Sequence, residues 1–276
     1  MKSSKIFLDK NKKIQKLRKA LRNYKSVLVA HSGGTDSSFL LKAAVDFLGA
    51  DKVLAVTVKS EFIPESKIAE AKSIADEIGA RWERAEIPVL YESNLVKNPP
   101  TRCYICKKAI MKELKKIAKK EGMEQVVEGS IVEDMKIYRP GKKAIKQLKI
   151  KSPLLEAELS KEEIRKLSRK SGLPCWNKPS FTCLATRFPY ETRLTKKNLE
   201  KVAAAEDFLS DKTFKKFRVR SHGNIARIEI LEKDFDKLLS HKESITREFK
   251  KIGYAYVTID IEGYRSGSMD IGIKNG

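Results

Sequence analysis

The sequence predicts an α/β protein, a parallel sheet wound with helices on both faces, followed by a small α+β domain. Three observations carry this. Short apolar runs rich in β-branched residues, at 26–30 and 53–58, alternate with segments whose apolar residues recur at helical spacing. A glycine turn, Ser32-Gly33-Gly34-Thr35-Asp36-Ser37-Ser38, joins the first run to the first helical pattern. After Thr195 the alternation gives way to a hairpin pattern around Gly223-Asn224 flanked by helices, which places the expected domains at 1–193 and 194–276.

Each element has its own signal. Residues 1–24 are lysine-rich with Ile14, Leu17 and Leu21 at helical spacing, so a helix is expected ahead of the first strand. Phe39, Leu40, Ala43, Ala44 and Phe47 form the apolar stripe of the helix leaving the glycine turn. After the strand at 53–58, Pro64 opens a helix whose Ile68, Ala71, Ile74, Ala75 and Ile78 share a face, and Gly79 ends it. A third strand is expected over 81–87, a helix over 107–120 beyond Pro99-Pro100, and a fourth strand over 125–129. Ser160-x-x-Glu163 has the form of a capping box, in which each side chain serves the other residue's backbone N–H; it starts a helix through Arg169 that Gly172 closes. A loop rich in aromatics, prolines and cysteines occupies 173–193. Beyond it come a helix with Val202, Ala205, Phe208 and Leu209, a hairpin of 217–220 and 225–230, a further helix, and a strand over 254–261.

Composition narrows the function classes. With 276 residues the chain can bury a core without disulfides, and no N-terminal apolar segment or membrane-length apolar run appears, so a cytoplasmic, membrane-free protein is expected. The net charge of +22, from 58 Lys and Arg against 36 Asp and Glu, attracts ATP, phosphorylated substrates or nucleic acid without choosing among them. Much of the excess is lysine on polar helix faces, at 10–19 and 112–120, which reads as solvated surface and disfavours nucleic acid.

The glycine turn is the chemical centre. Gly33 and Gly34 permit backbone angles closed to other residues and let a ligand approach the main chain closely. The helix behind them begins with unpaired N–H groups at the positive end of its dipole, and Ser32, Ser37 and Ser38 add hydroxyls, so the turn suits phosphate. It lacks the Lys-Ser/Thr ending of the Walker loop and the G-x-G-x-x-G of dinucleotide folds. Instead it resembles the S-G-G-x-D-S signature of the PP-loop ATP pyrophosphatases, of the adenine nucleotide α-hydrolase-like fold. That resemblance implies ATP with Mg2+, bound by Ser32, Gly33, Gly34, Asp36, Ser37 and Ser38, with Asp36 catalytic.

The four cysteines form no disulfide framework. Cys103-x-x-Cys106 puts two thiols one turn apart at a helix start, where the dipole and Arg102, Lys107 and Lys108 favour thiolate. Cys175 and Cys183 lie on the 173–193 loop, a spacing unlike zinc knuckles or a ferredoxin run. From the residues alone, three readings stand: a four-thiol zinc site, a redox or persulfide pair, and an iron–sulfur cluster on three thiols. An unreactive buried thiol suits Cys175.

Further motifs make the resemblance specific. Arg102-Cys103-Tyr104-Ile105-Cys106-Lys107, Tyr138-Arg139-Pro140-Gly141, Lys151-Ser152-Pro153-Leu154-Leu155-Glu156, Gly172-Leu173-Pro174, Lys178-Pro179-Ser180, Cys183-Leu184-Ala185-Thr186-Arg187 and Glu262-Gly263-Tyr264-Arg265-Ser266-Gly267-Ser268 are similar to the PP-loop sulfur transferases of nickel-pincer nucleotide cofactor synthesis, which serve lactate racemase maturation. The resemblance implies adenylation of a carboxylate on a pyridinium-3,5-biscarboxylic acid mononucleotide and its conversion to a thiocarboxylate, in a homo-oligomer. In one branch of that family a cysteine at the position of Cys183 surrenders its own sulfur. In another, three cysteines, here Cys103, Cys106 and Cys183, hold a [4Fe-4S] cluster whose open iron carries sulfide from a donor. The chain has all three positions, with Cys175 an extra thiol outside them.

Arg218 and Arg220 alternate along one strand and Arg227 and Glu229 along another, so each pair faces one way. Arg187, Arg218, Arg220 and Glu229 are the expected substrate-binding residues, suited to phosphate and carboxylate groups. The alternative from another class is a tRNA thiolase with a PP-loop and a three-cysteine cluster. Against it, those enzymes commonly carry Lys at the Thr35 position. An ammonia-using amide synthetase would leave the cysteines unexplained, and a non-catalytic nucleotide sensor is the least favoured alternative.

Overall fold

A computed structural model describes residues 11–136, 140–179, 181–265 and 267–270. Lys10, Tyr138, Arg139, Ser180 and Ser266, which figure in the motifs and lysine runs above, lie outside the described residues. The chain divides into two compact units, residues 1–88 with 103–181 and residues 89–102 with 182–276.

In the first unit, α1 (Lys12–Arg22) precedes β1 (Val27–Ala30), α2 (Thr35–Leu48), β2 (Val53–Lys59), α3 (Glu65–Ile78) and β3 (Arg81–Glu86). After α4 (Ser93–Val96), which belongs to the second unit, come α5 (Arg102–Lys120), β4 (Gln125–Val127), α6 (Gly141–Gln147), α7 (Pro153–Glu156) and α8 (Lys161–Lys170). The four strands form one parallel sheet in the order β3-β2-β1-β4, with Val27 opposite Val53 on one side and Gln125 on the other. β1 and most of β2 are buried, as continuous β-branched runs in a parallel sheet covered on both faces require. Ile14, Leu17 and Leu21 of α1, Phe39, Leu40 and Ala43 of α2, and Ile164 and Leu167 of α8 join Val27 and Val29 in one core. Each such fully buried Leu, Ile, Val or Phe contributes about 1.5–3 kcal/mol. β1 is flanked by strands reached through connections on opposite sides, so its carboxyl end is the switch point at which open sheets bind ligands.

The helix expected over 107–120 begins at Arg102, which brings both thiols of Cys103-x-x-Cys106 into its first two turns. The strand expected over 125–129 stops at Val127, where Glu128 turns its backbone to Lys151, donating its N–H to that carbonyl.

The second unit adds α9 (Lys196–Asp211), β5 (Phe217–His222), β6 (Ile225–Ile230), α10 (Phe235–Ser240), α11 (Lys242–Ile252) and β7 (Tyr256–Ile259). β5 and β6 form the expected hairpin, and β7 joins β6 in parallel. Val219, Ala226, Ile228 and Ile230 face a core shared with Ala205, Leu209, Ile245 and Phe249. The units divide at 181/182 rather than at 193/194. Hydrogen bonds explain why 89–102 and 182–193 travel together: the Asn98 amide donates to the Phe188 and Pro189 carbonyls, and the Leu194 N–H donates to Val96. No helix among the described residues is long and apolar enough to cross a membrane.

Candidate active site

The glycine turn sits at the carboxyl end of β1. Gly33 has φ +69°, and a Cβ there would stand 3.0 Å from the Ala71 Cα of α3, so only glycine lets the turn pass this close to the helix. Gly34 differs from Gly33: its φ of −80° and ψ of 162° suit any residue, and a Cβ would meet nothing nearer than Ser32 Oγ at 3.5 Å. What a bare Cα at Gly34 provides is room. No side chain caps the N-terminus of α2, which leaves its first-turn amides to a ligand.

The serines have different employments. Ser37 Oγ accepts from the Ser32 N–H at 3.2 Å, lies 3.1 Å from Ser32 Oγ and donates to the Gly34 carbonyl, so the two hydroxyls line the turn together. Ser38 is fully buried; its N–H bonds the Gly34 carbonyl and its hydroxyl lies 3.1 Å from His31 Nε2, so both are used beneath the turn. His31 is itself buried, and that burial, with Lys178 nearby, lowers its pKa to about 4, which keeps the ring neutral. Thr35 Oγ1 donates to the Cys175 carbonyl at 2.7 Å.

Asp36 stands in the first turn of α2, and Lys161 Nζ reaches both its carboxylate oxygens at 2.7 Å. Burial raises the Asp36 pKa above its ordinary value, against the lowering effect of Lys161. Lys161 opens α8 directly after Ser160, whose capping box with Glu163 is present as expected. The box revealed the helix; nothing local announced that its first residue would pair with Asp36.

The thiols sort by exposure. Cys103 is exposed, Cys106 and Cys183 are partly so, and Cys175 is buried in the first core. The cations expected to favour thiolate are engaged elsewhere: Arg102 lies 4.0 Å from the Tyr190 ring centroid, Lys107 pairs with Glu128, and Lys108 donates to the Tyr104 hydroxyl. Three accessible thiols fit the soft-donor chemistry of an iron–sulfur cluster, and a sequestered Cys175 fits exclusion from it. Among the described residues, however, no three His, Cys, Asp or Glu side chains are grouped so as to hold a metal ion. Cys103 and Cys106 belong to the first unit and Cys183 to the second.

In the second unit the expected substrate residues meet around the Cys183 segment. Arg187 is wholly buried, bidentate on Glu206 at 2.7 and 3.0 Å, and donates through Nη1 to the hydroxyls of Thr182 and Thr186, each at 2.7 Å. Arg220 bonds Glu229 at 2.8 Å, Ser268 Oγ at 2.9 Å and the Thr186 carbonyl at 3.0 Å. Glu229, also fully buried, further accepts from Ser268 Oγ and Arg227. Register places Arg218 opposite Glu229 and Arg220 opposite Arg227, so all four share one sheet face. Arg218 lies 5.4 Å from the Tyr264 ring centroid. Glu206 and Ser268 were not foreseen as partners because they act from 19 and 48 residues away, and Thr182, though only five residues before Arg187, carries no local pattern that announces its bond.

Comparison with known proteins agrees with this geometry. Residues 10–129 match the NAD synthase family. Over 91% of its length the chain is 38% identical to a pyridinium-3,5-bisthiocarboxylic acid mononucleotide synthase of Lactiplantibacillus plantarum, covering 91% of that protein. It is 35% identical to an uncharacterized protein of Synechocystis sp. over 94% of the chain and 97% of the relative. A third relative, an uncharacterized protein of Methanocaldococcus jannaschii, is 31% identical over 95% of the chain and 99% of its own length. Similarity over 91% of the chain, with the NAD synthase family match across the glycine turn, identifies an ATP-dependent sulfurtransferase that belongs to the PP-loop sulfur transferase family of nickel-pincer nucleotide cofactor synthesis.

Proposed function

We propose that the enzyme converts a carboxylate of pyridinium-3,5-biscarboxylic acid mononucleotide into a thiocarboxylate. A carboxylate oxygen attacks the α-phosphorus of ATP, the bond to the β-phosphate breaks, and pyrophosphate leaves. A sulfur nucleophile then attacks the activated carbonyl carbon, and AMP departs with the electrons of the carbon–oxygen bond. The observation that carries this reading is the uncapped first turn of α2 behind a glycine turn lined by Ser32 and Ser37. Its amides stabilise the charge that grows on the departing pyrophosphate.

The remaining residues take parts consistent with their positions. Gly33 and Gly34 admit the phosphates, and Asp36 meets the Mg2+ that accompanies the triphosphate, a hard cation suited to carboxylate oxygen. Ser38 supports the turn from below. We assign recognition of the substrate's phosphate and carboxylates to the Arg187, Arg218, Arg220 and Glu229 face, where Arg187 and Arg220 also hold the Cys183 segment. Cys103, Cys106 and Cys183 would hold a [4Fe-4S] cluster, which when bound supplies an iron with an open position for donor sulfide. The setting is cytoplasmic and the assembly a homo-oligomer, as the family implies. A tRNA thiolase is not favoured: lysines of α2, α3 and α8 pair with Asp46, Asp76 and Glu162 of their own helices, as solvated faces do.

The test uses protein purified without oxygen, assayed for iron, acid-labile sulfide, pyrophosphate release and thiocarboxylate. Cys103→Ala, Cys106→Ala and Cys183→Ala should each lose iron and sulfur transfer together, while Cys175→Ala keeps both. Full activity in Cys103→Ala, or conversion of Cys183 to dehydroalanine in step with product, would contradict the cluster and leave the adenylation.

A further inference from the structure

We infer that Glu128 is a positioning residue that ties the Cys103-x-x-Cys106 turn of α5 to the nucleotide loop. The inference rests on the proposed reading that this loop takes ATP and these cysteines handle sulfur.

Glu128 follows β4 beside the nucleotide loop and is 5% exposed. Its Oε1 accepts from Ser152 Oγ and from the Ser130 N–H, which fixes the carboxylate to its own neighbourhood. Its Oε2 accepts from Lys107 Nζ at 3.1 Å, the residue directly after Cys106. The next residue, Gly129, lies against the other partner: a Cβ there would come within 3.1 Å of Ser37 N and 3.3 Å of the Asp36 carbonyl carbon. Two adjacent residues thus touch the first turn of α2, through backbone, and the first turns of α5, through an ion pair whose carboxylate is buried and whose lysine is partly exposed. Gly141 packs on the same turn of α5: a Cβ there would approach the Cys103 carbonyl oxygen to 3.4 Å and the Lys107 side chain to 3.5 Å.

A buried carboxylate is costly unless paired, so packing alone would favour an apolar side chain here. What Glu128 adds is a directed link. A triphosphate that draws on the amides of α2 moves the backbone against Gly129, and the fixed carboxylate passes that displacement to Lys107 and the thiols. Loading of the nucleotide site is thereby reported to the sulfur-handling turn.

The test compares the full-length protein with K107M, E128Q, K107R and the double variant E128Q/K107M. Cys103 and Cys106 are alkylated with iodoacetamide with and without ATP, melting temperature is recorded, and sulfur inserted per pyrophosphate released is measured. In the wild type, ATP should change the alkylation rate of the pair. In K107M and E128Q that change should vanish, with the KM for ATP within about twofold and sulfur per pyrophosphate reduced about tenfold. K107R should restore both, and the double variant should be no worse than either single one. Variants that keep the ATP-dependent alkylation, or that lose ATP use and sulfur transfer in equal proportion, would overturn the inference. ATP binding to a wild type whose alkylation does not respond overturns the inference alone; a wild type that fails to bind ATP removes the proposed function with it.

Discussion

The nucleotide loop and the arginine face of the second unit both suit anions, yet they are built in opposite ways. The loop offers backbone amides at an uncapped helix start and keeps its one carboxylate, Asp36, against Lys161. The arginine face is largely paired from within: Arg187 with Glu206, Arg220 and Arg227 with the one carboxylate of Glu229, and Arg227 also with Asp260. The first arrangement is prepared for a ligand and depends little on its own hydroxyls for stability. In the second, Arg187 and Arg220 spend their donors on the Thr182–Thr186 segment that carries Cys183, so these residues are structural members of the site as well as its expected binding residues. Variants in the loop should therefore cost activity, and variants in the face should cost stability.

The largest effect belongs to Arg187→Ala. It strands the Glu206 carboxylate and releases Thr182 and Thr186, so a loss of about 3–5 kcal/mol is expected in urea unfolding. A change below about 1 kcal/mol would show that the network is no frame. Asp36→Ala should leave urea unfolding nearly unchanged and reduce pyrophosphate release about a thousandfold, measured in a coupled assay. Retained turnover would break the contrast from the other side.

His31 sharpens the contrast through pH. Its folded pKa of about 4 lies below its ordinary value of 6.5, so folding favours the neutral ring. The stability this contributes is complete above pH 6.5 and is lost as the pH falls through about 4, amounting to about 3 kcal/mol. Unfolding followed from neutral to acid should show that slope in the wild type and a shallower one in His31→Gln. The smallest effect is expected for Cys175→Ala, about 1 kcal/mol of lost packing in the first core, with sulfur transfer intact.

Legibility in the sequence follows the same division. The parallel sheet, the glycine turn and the capping box of α8 were readable because each is written in neighbouring residues: a β-branched run, two glycines before a helical stripe, Ser160 three places before Glu163. The hairpin of β5 and β6 was readable from Gly223-Asn224, as was the alternation of Arg218 with Arg220 and of Arg227 with Glu229; the register puts the two pairs on one face. What those arginines bond was not readable. Glu206 lies 19 residues from Arg187 and Ser268 lies 48 from Arg220, and no periodicity links such partners. Lys161 pairs with Asp36 across 125 residues for the same reason. Which of the two glycines uses its freedom was not readable either: Gly33 has φ +69°, whereas the backbone of Gly34 is ordinary. The unit boundary moved because Asn98 binds Phe188 and Pro189, a long-range tie that composition does not reveal.

The central claim is that ATP activates a substrate carboxylate by adenylation before sulfur arrives. The most direct measurement labels the carboxylate oxygens of the pyridinium mononucleotide with heavy oxygen and follows the label by mass spectrometry through one turnover. Adenylation predicts that AMP acquires one labelled oxygen for each thiocarboxylate formed, because the oxygen that attacked the α-phosphorus leaves with it. AMP released without label while thiocarboxylate accumulates would contradict the account.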